Sequence, residues 1–211
     1  MSSTQVRENP YKGLMPYDES DAPFFFGRED ESEIITANVM ASRLTLLYGT
    51  SGVGKSSVLR AGVAYNMKQS SREEFLRRGQ TKTSITIFNS WRDNPMNGLR
   101  KQINKDLQVL CGSSVAAAEQ LSFSDFLQAA TRLFGGTLLI VLDQFEEYFL
   151  YPQKEGEGSF TVEFVRAVNN RDIRVNFLIS IREDAGAPVC CNWADGHGGC
   201  SFTPGTLKHH F

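Results

Sequence analysis

The sequence of 211 residues has few cysteines, no excess of charge and no long hydrophobic run, and each absence excludes a class of protein. Three of its four cysteines lie near the C-terminus, so it lacks the distributed disulfide framework of small secreted domains. The longest apolar run, Leu138 to Leu142, is far shorter than the roughly 20 residues that span a membrane. The net charge of −2 argues against a nucleic-acid binder. Because residues 1–10 are polar and resemble no signal peptide, we expect a cytoplasmic protein.

Apolar residues instead alternate between short continuous runs and helical spacing from residue 30 to residue 182. This alternation predicts strands separated by crossover helices, and the continuous runs suit parallel strands covered on both faces. The predicted strands are Leu44–Tyr48, Ser84–Phe88, Thr137–Leu142 and Arg174–Ile181. Amphipathic helices are expected around residues 96–110, 123–134 and 160–168, the second of them capped by Ser122. The predicted class is α/β with a mainly parallel sheet.

A glycine-rich motif, GTSGVGKS at residues 49–56, follows the first predicted strand and precedes a helical pattern. Glycines let the backbone turn tightly around a polyphosphate, so that successive N–H groups and the helix N-terminus face the anion. Lysine then reaches the terminal phosphates and the serine hydroxyl binds Mg²⁺. A flexible connector is the simpler alternative, but it has no need for lysine and serine at this register. The predicted nucleotide contacts are Gly49, Thr50, Ser51, Gly52, Val53, Gly54, Lys55, Ser56 and Ser57.

An acidic segment, DQFEE at residues 143–147, follows the apolar strand at 137–142. Parallel strands present ligands beyond their carboxyl ends, so we assign Asp143 to Mg²⁺, directly or through water. Glu146 and Glu147 are both candidates to orient or deprotonate the attacking water, and position does not decide between them. Gln144 can orient water but is a poor base, which predicts slow hydrolysis. Asp143 could alternatively serve as a helix cap.

Two further segments carry candidate residues. Arg182 follows the last predicted strand, where a guanidinium could contact the γ-phosphate; pairing with Glu183 or Asp184 is the alternative. Upstream, NPYKGL at residues 9–14 and FFGRE at residues 25–29 form a turn-rich aromatic lead-in that could cover one edge of the sheet.

Together, the FFGRE segment, the glycine-rich motif, the DQFEE segment and the strand ending in Arg182 resemble the STAND class of P-loop NTPases. The lead-in NPYKGL is similar to that of the bacterial novel STAND group. The resemblance covers Asn9 to Asp184 and implies an ATP-dependent signalling switch with a three-layer P-loop NTPase fold. It also implies that Phe26, Gly27 and Arg28 contact the nucleotide, that Arg182 acts as a sensor, and that a protein partner or self-association is involved.

Members of that class continue into a fifth strand, a lid and a winged helix, which this sequence does not supply. We therefore expect a lead-in at residues 1–28, an incomplete core at 29–185 and an irregular tail at 186–211. A truncated or frame-altered product is our hypothesis for the change of character after Ala185. The absence of a fifth strand would leave the first strand at an open edge. A zinc site in the tail is a minor alternative, because its Cys and His residues lack the usual ligand spacing.

Three functions follow from these observations. The first is an ATP-binding, Mg²⁺-dependent switch NTPase with slow or lost hydrolysis. The second is an interaction module that nucleotide merely stabilises, without turnover. The third, a P-loop kinase or nucleic-acid motor, lacks a recognisable basic lid or an arginine supplied by a neighbour.

Overall fold

The computed structural model describes Gly13, residues 15–151, Gly156, residues 158–182 and the backbone of residues 206–210. The helices in this part of the chain are α1 (Glu29–Ala41), α2 (Lys55–Ser57), α3 (Tyr65–Arg78), α4 (Pro95–Cys111), α5 (Phe123–Phe134) and α6 (Phe160–Asn169). The strands are β1 (Leu44–Gly49), β2 (Thr83–Phe88), β3 (Thr137–Leu142), β4 (Val175–Arg182) and β5 (Thr206–His210). Short 3-10 helices occupy Glu19–Phe24 and Phe145–Leu150.

The strands form one parallel sheet in the order β2-β3-β4-β1-β5. Leu44 of β1 pairs with Phe177 of β4, while Leu138 of β3 pairs with Val175 of β4. This order places β4 between the strand that precedes the glycine-rich motif and the strand that precedes Asp143. The carboxyl ends of β1, β3 and β4 therefore meet at one edge of the sheet.

Apolar side chains cover the sheet on both faces. The larger cluster includes residues of α4, α5 and α6 packed on the sheet, with Leu99, Phe126 and Phe164 fully buried. The smaller cluster joins α1 and the helix after β1 to the other face, with Ile35, Leu47 and Leu59 at its centre. This arrangement of helix, sheet and helix confirms the predicted α/β class with a parallel sheet.

Local sequence explains where the helices begin and end. Ser122 caps α5 by accepting a hydrogen bond from the N–H of Asp125, and Ser159 caps α6 in the same way through Val162. Gly135 ends α5 in a left-handed conformation at φ 80°. The predicted helices and the first four strands are thus found within about two residues of their expected limits. None of the helices in the described part is long and apolar enough to cross a membrane.

The helix after the glycine-rich loop departs from regular α geometry. A π-helical segment, Val58–Ala64, separates α2 from α3. Such segments often occur near functional sites, because they alter the direction of side chains along the helix. The apolar periodicity of the sequence does not predict it.

Residues 206–210 correct one expectation. The sequence predicts an irregular tail and no fifth strand, whereas these residues form β5, paired in parallel with β1 from Leu44 to Tyr48. The physical reason is that an uncovered β1 would expose a row of unpaired backbone groups, which another strand can satisfy. The segment is short and polar, so its sequence lacks the apolar run that marks a buried parallel strand. Several residues of the sequence predictions lie outside the described part of the chain: residues 9–12 and Leu14 of the lead-in, Glu183 and Asp184, and the tail residues Cys190, Cys191, His197 and Cys200 of the zinc alternative.

Gly136 lies where the chain enters β3 beside the start of β2, and the space there excludes a side chain. A Cβ atom at this position would lie 2.3 Å from the carbonyl oxygen of Thr81 and 2.5 Å from that of Lys82. We expect Gly136→Ala to lower the free energy of unfolding by about 1–3 kcal/mol, because backbone atoms must move. Chemical denaturation measures this change. The exposed Ser70→Ala change on α3 is the control and should stay within about 0.5 kcal/mol. Equal effects from the two variants would contradict the close approach.

Candidate nucleotide-binding site

The candidate site lies at the carboxyl edge of the sheet, where the predicted residues converge. β1 ends at Gly49, and in the register of the sheet this glycine pairs with Arg182 at the end of β4. Asp143 follows β3, the strand on the other side of β4. Residues separated by more than a hundred positions in the sequence thus lie side by side, as expected of ligand sites in parallel sheets.

The loop after β1 folds around the ammonium group of Lys55. Gly52 and Gly54 adopt positive φ angles of 82° and 92°, which side-chain-bearing residues rarely adopt. The Lys55 Nζ donates to the carbonyl oxygens of Gly49, at 2.6 Å, and of Thr50, at 2.9 Å. The loop therefore closes on its own lysine at the start of α2. A tight glycine turn with an ammonium group beside it is typical of polyphosphate sites.

Asp143 is almost completely buried, with 1% of its surface exposed, and its two carboxylate oxygens have different partners. The Oδ1 atom accepts hydrogen bonds from the Ser56 hydroxyl at 3.1 Å and from the Gln144 N–H at 3.0 Å. The Oδ2 atom lies 3.3 Å from Arg60 Nη2. The structure therefore brings together Ser56 and Asp143, the two residues that the sequence assigns to Mg²⁺.

A buried tryptophan holds the backbone of this acidic residue. The Trp91 Nε1 donates to the Asp143 carbonyl oxygen at 2.8 Å. The indole ring meets Phe88 and Phe145 edge-on, with ring centroids 5.0 Å apart in each pair. Aromatic contacts of this kind fix ring orientation. Trp91 therefore links the end of β2 to the end of β3 and to the 3-10 helix that carries Glu146.

The structure distinguishes the two glutamates that the sequence leaves equivalent. Glu146 accepts a hydrogen bond from the backbone N–H of Arg182 at 3.3 Å, and its carboxylate interacts electrostatically with Lys55 and Asp143. Glu147 instead interacts with Arg92, which packs over the ring of Tyr151, 5.4 Å from its centroid. Only Glu146 therefore shares the electrostatic environment of the loop lysine.

The environment of Glu146 also makes it a better base. Burial raises the pKa of the Glu146 carboxyl, and the neighbouring Asp143 charge adds to the rise. The Arg182 N–H and the Lys55 ammonium group oppose it by stabilising the charged form. A carboxylate with a raised pKa accepts protons more readily, which suits general-base chemistry.

The FFGRE segment reaches the loop through Arg28. The guanidinium donates from Nη2 to the Val53 carbonyl oxygen at 2.8 Å and from Nη1 to Glu31 at 2.7 Å. Gly27 has a positive φ of 78°, and Phe26 is 75% exposed. The lead-in thus contacts the phosphate loop directly through Arg28. Two residues earlier in the chain, the ring of Phe26 is exposed to solvent.

Ser57 differs from the other predicted loop contacts. Its hydroxyl accepts a hydrogen bond from the Tyr17 N–H at 3.1 Å and so faces the N-terminal segment. The side chain of Ser57 therefore ties the helix to the lead-in.

The donors present fit a magnesium ion held together with phosphate. Ser56 and Asp143 offer hydroxyl and carboxylate oxygens, which are the hard ligands that Mg²⁺ prefers. Within the described ranges, no group of three or more His, Cys, Asp or Glu side chains could hold a metal alone. The remaining ligands would therefore have to be water or phosphate oxygens, as is usual for Mg²⁺.

Sequence reasoning missed Arg60 and Trp91. Arg60 lies four residues after Ser56, so helical spacing could have placed both on one face of the helix. Trp91 lies three residues after β2, at the carboxyl edge of the sheet where the site is found. No sequence motif marks it.

Comparison with known proteins supports a nucleotide-binding fold. The family model described as Novel STAND NTPase 1 matches residues 10–192. No curated protein matches the chain in sequence.

Three matches among solved structures describe how far the likeness extends. The Aeropyrum pernix ORC2 protein in its ADP form is 14% identical with a TM-score of 0.53, covering 96% of this chain and 51% of that one. Its ADPNP-ADP complexes give 17% identity and a TM-score of 0.50, covering 82% and 44%. A Walker-type ATPase of Pyrococcus abyssi is 21% identical with a TM-score of 0.49, covering 80% and 48%. The chain thus spans about half the length of each, and the ORC2 likeness concerns the fold alone.

The raised pKa of Glu146 gives a testable dependence of stability on pH. Below the ordinary carboxyl pKa of about 4.3, Glu146 is neutral in both states and its burial costs little. Stability is lost as the pH rises through the raised folded-state value, because the folded protein then holds a buried charge. We expect Glu146→Gln to raise the melting temperature by roughly 1–3 °C at pH 7.5 and to leave it unchanged near pH 4.

Differential scanning fluorimetry at the two pH values measures this difference. The exposed Glu33→Gln change on α1 is the matched control and should change little at either pH. A lower melting temperature for Glu146→Gln at pH 7.5 would contradict the prediction. It would show that the buried Glu146 charge stabilises the folded protein instead of destabilising it.

Proposed function

The chain belongs to the novel STAND NTPase family, a group of nucleotide-binding P-loop NTPases, and we propose that it is an ATP- and Mg²⁺-dependent signalling switch with slow hydrolysis. The observation that carries the proposal is the closed loop around Lys55 beside the Ser56 and Asp143 pair. In this proposal, phosphate binding, metal binding and the base lie at one edge of the sheet. The alternative is a nucleotide-stabilised interaction module without turnover.

Lys55 provides the main charge for phosphate. Its ammonium group now bonds two loop carbonyls, and the same group can donate to phosphate oxygens, because it carries three N–H donors. In this proposal Gly49, Thr50, Ser51, Gly52, Val53 and Gly54 supply the backbone around the phosphates, and the start of α2 adds its positive dipole.

Ser56 and Asp143 hold the metal in this proposal. Mg²⁺, when bound, would neutralise charge on the phosphate oxygens. Trp91 fixes the Asp143 backbone through its 2.8 Å hydrogen bond, and the Ser56 hydroxyl and the Gln144 N–H orient the carboxylate. Such preorganisation lowers the cost of assembling the site.

Glu146 is the proposed base. Its half-buried carboxylate can accept a proton from water, and the Arg182 N–H holds it in place. Gln144 follows Asp143 directly in a left-handed conformation, with φ 53°, and its amide can orient water but not deprotonate it. Slow turnover is therefore part of the proposal. The Arg182 side chain is assigned the role of γ-phosphate sensor, supported by its place beside Gly49.

The N-terminal segment is the proposed relay between nucleotide and partner. Arg28 contacts the loop at Val53, and Phe26 exposes its ring, so a change in the loop can reach an exposed surface. We also propose that Phe26, Gly27 and Arg28 contact the nucleotide when it is bound, so that the exposed ring of Phe26 would be covered or left open according to the nucleotide state. A second protein or a second copy of the chain would receive the signal, and a cytoplasmic location is part of the proposal.

Removing the Lys55 ammonium group tests nucleotide binding. We expect Mg-ATP and Mg-ADP to bind with micromolar to millimolar affinity, and Lys55→Ala to weaken both at least about a hundredfold, since it removes a charge-assisted contact. Isothermal titration calorimetry with Mg-ATP, Mg-ADP and Mg-GTP measures the affinities. The exposed Lys101→Ala change on α4 is the control. Unchanged affinity in Lys55→Ala would remove the central assignment.

Exchanging the two glutamates tests turnover separately from binding. We expect Glu146→Gln to reduce phosphate release by roughly 10²–10⁴-fold while Mg-ATP still binds, because the general base is lost. Glu147→Gln, the matched control, should keep turnover within about threefold, since its partner is Arg92 rather than the loop lysine. A larger loss in Glu147→Gln would reverse the assignment. Phosphate release by wild type no greater than by Lys55→Ala would favour the module without turnover.

A further inference from the structure

Arg60 pairs with the carboxylate that the proposed metal would use. Its Nη2 atom lies 3.3 Å from Asp143 Oδ2, and 23% of the arginine side chain is exposed against 1% for Asp143. Ser56 occupies the other oxygen, Oδ1. A buried carboxylate requires a nearby positive charge, and in this conformation the guanidinium supplies it.

The ion pair between Arg60 and Asp143 does not use all the N–H donors of the guanidinium, so another cation could replace Arg60. Within the described residues, the Arg60 Nε is buried without a hydrogen-bond partner. A guanidinium normally binds a carboxylate through two parallel N–H bonds, whereas here a single nitrogen at 3.3 Å makes the contact. An incomplete ion pair is easier to displace than a bidentate one.

Arg60 also has space to move. It lines a cavity of about 280 Å³ that is bordered by Asp18 and Glu19 of the N-terminal segment. Asp18 caps the 3-10 helix through the Ser20 N–H, and Glu19 pairs with Lys68 at 2.7 Å, so a guanidinium that leaves Asp143 would share carboxylates that already have partners. The helix around Arg60 is the π segment Val58–Ala64, so its side-chain directions differ from those of a regular α-helix.

We propose that Arg60 is an internal counterion that competes with Mg²⁺ for Asp143 and thereby sets the metal affinity of the nucleotide site. The guanidinium neutralises the buried carboxylate in this conformation, and it would have to move toward Asp18 and Glu19 if Asp143 held a metal. Arg60 is thus a positioning residue, and the inference rests on the proposed function because it requires a metal at Asp143.

The test separates metal affinity from activity. Mn²⁺ is titrated into the ADP-loaded protein, and free Mn²⁺ is followed by electron paramagnetic resonance. We expect Arg60→Gln to bind Mn²⁺ roughly tenfold more tightly, because the competing cation is gone. The metal-free, nucleotide-free variant should melt about 5 °C lower, since Asp143 then lacks its counterion. The opposite directions of these two changes distinguish competition from a general loss of structure.

Matched variants complete the test. Arg60→Lys keeps a positive charge that can compete for Asp143, but as a compact ammonium group of different reach, so its Mn²⁺ affinity should lie between those of wild type and Arg60→Gln. Arg78→Gln, at the exposed end of α3, should leave Mn²⁺ affinity unchanged. In an Asp143→Asn background, the additional Arg60→Gln change should leave Mn²⁺ affinity unchanged. The carboxylate for which Arg60 and the metal compete is absent from that background.

Two results overturn the inference in different ways. Unchanged or weaker Mn²⁺ binding in both Arg60 variants, with wild type binding Mn-ADP normally, would refute competition and leave the proposed function intact. Failure of wild type to bind ADP with Mn²⁺ would refute the proposed function and the inference with it.

Discussion

The buried carboxylate of Asp143 is the interaction on which the site depends. A charge with 1% exposure is costly unless it is paired and hydrogen-bonded, and the surrounding elements supply those partners. Ser56 and Arg60 approach from the helix after β1, the Gln144 N–H from the following turn, and Trp91 fixes the backbone carbonyl. The need to satisfy this one group therefore draws together three parts of the chain.

The phosphate loop is supported from the opposite side by the N-terminal segment. Arg28 holds the Val53 carbonyl, while the Tyr17 N–H donates to the Ser57 hydroxyl at the start of the helix. The loop is thus held between the sheet and a segment that precedes it in the chain. A change in the loop's conformation must alter these contacts, which gives the proposed switch a physical connection to the rest of the protein.

Features that depend on local sequence were predictable, and those that depend on distant packing were not. The glycine-rich loop, Asp143 and the Ser122 cap follow from residue types at fixed spacing, and the apolar runs give the first four strands. The choice between Glu146 and Glu147 depends on which side of a 3-10 helix faces Lys55, and five residues of sequence do not determine that. The Arg60 contact and the π segment arise from tertiary packing. β5 was missed because its pairing partner, rather than its composition, makes it a strand.

The strand order has a consequence for how the protein acquires its structure. β4 pairs with β1 on one side and with β3 on the other, so a strand that follows β2 and β3 in the chain must insert between β1 and β3. Contacts between residues so far apart in sequence form slowly, because the chain must first lose the entropy of closing a long loop. During synthesis, β1 leaves the ribosome before β4 has been made. Its apolar side chains therefore stay exposed to solvent until β4 can pair with it. Early chaperone capture of this segment would therefore protect the nascent chain from aggregation.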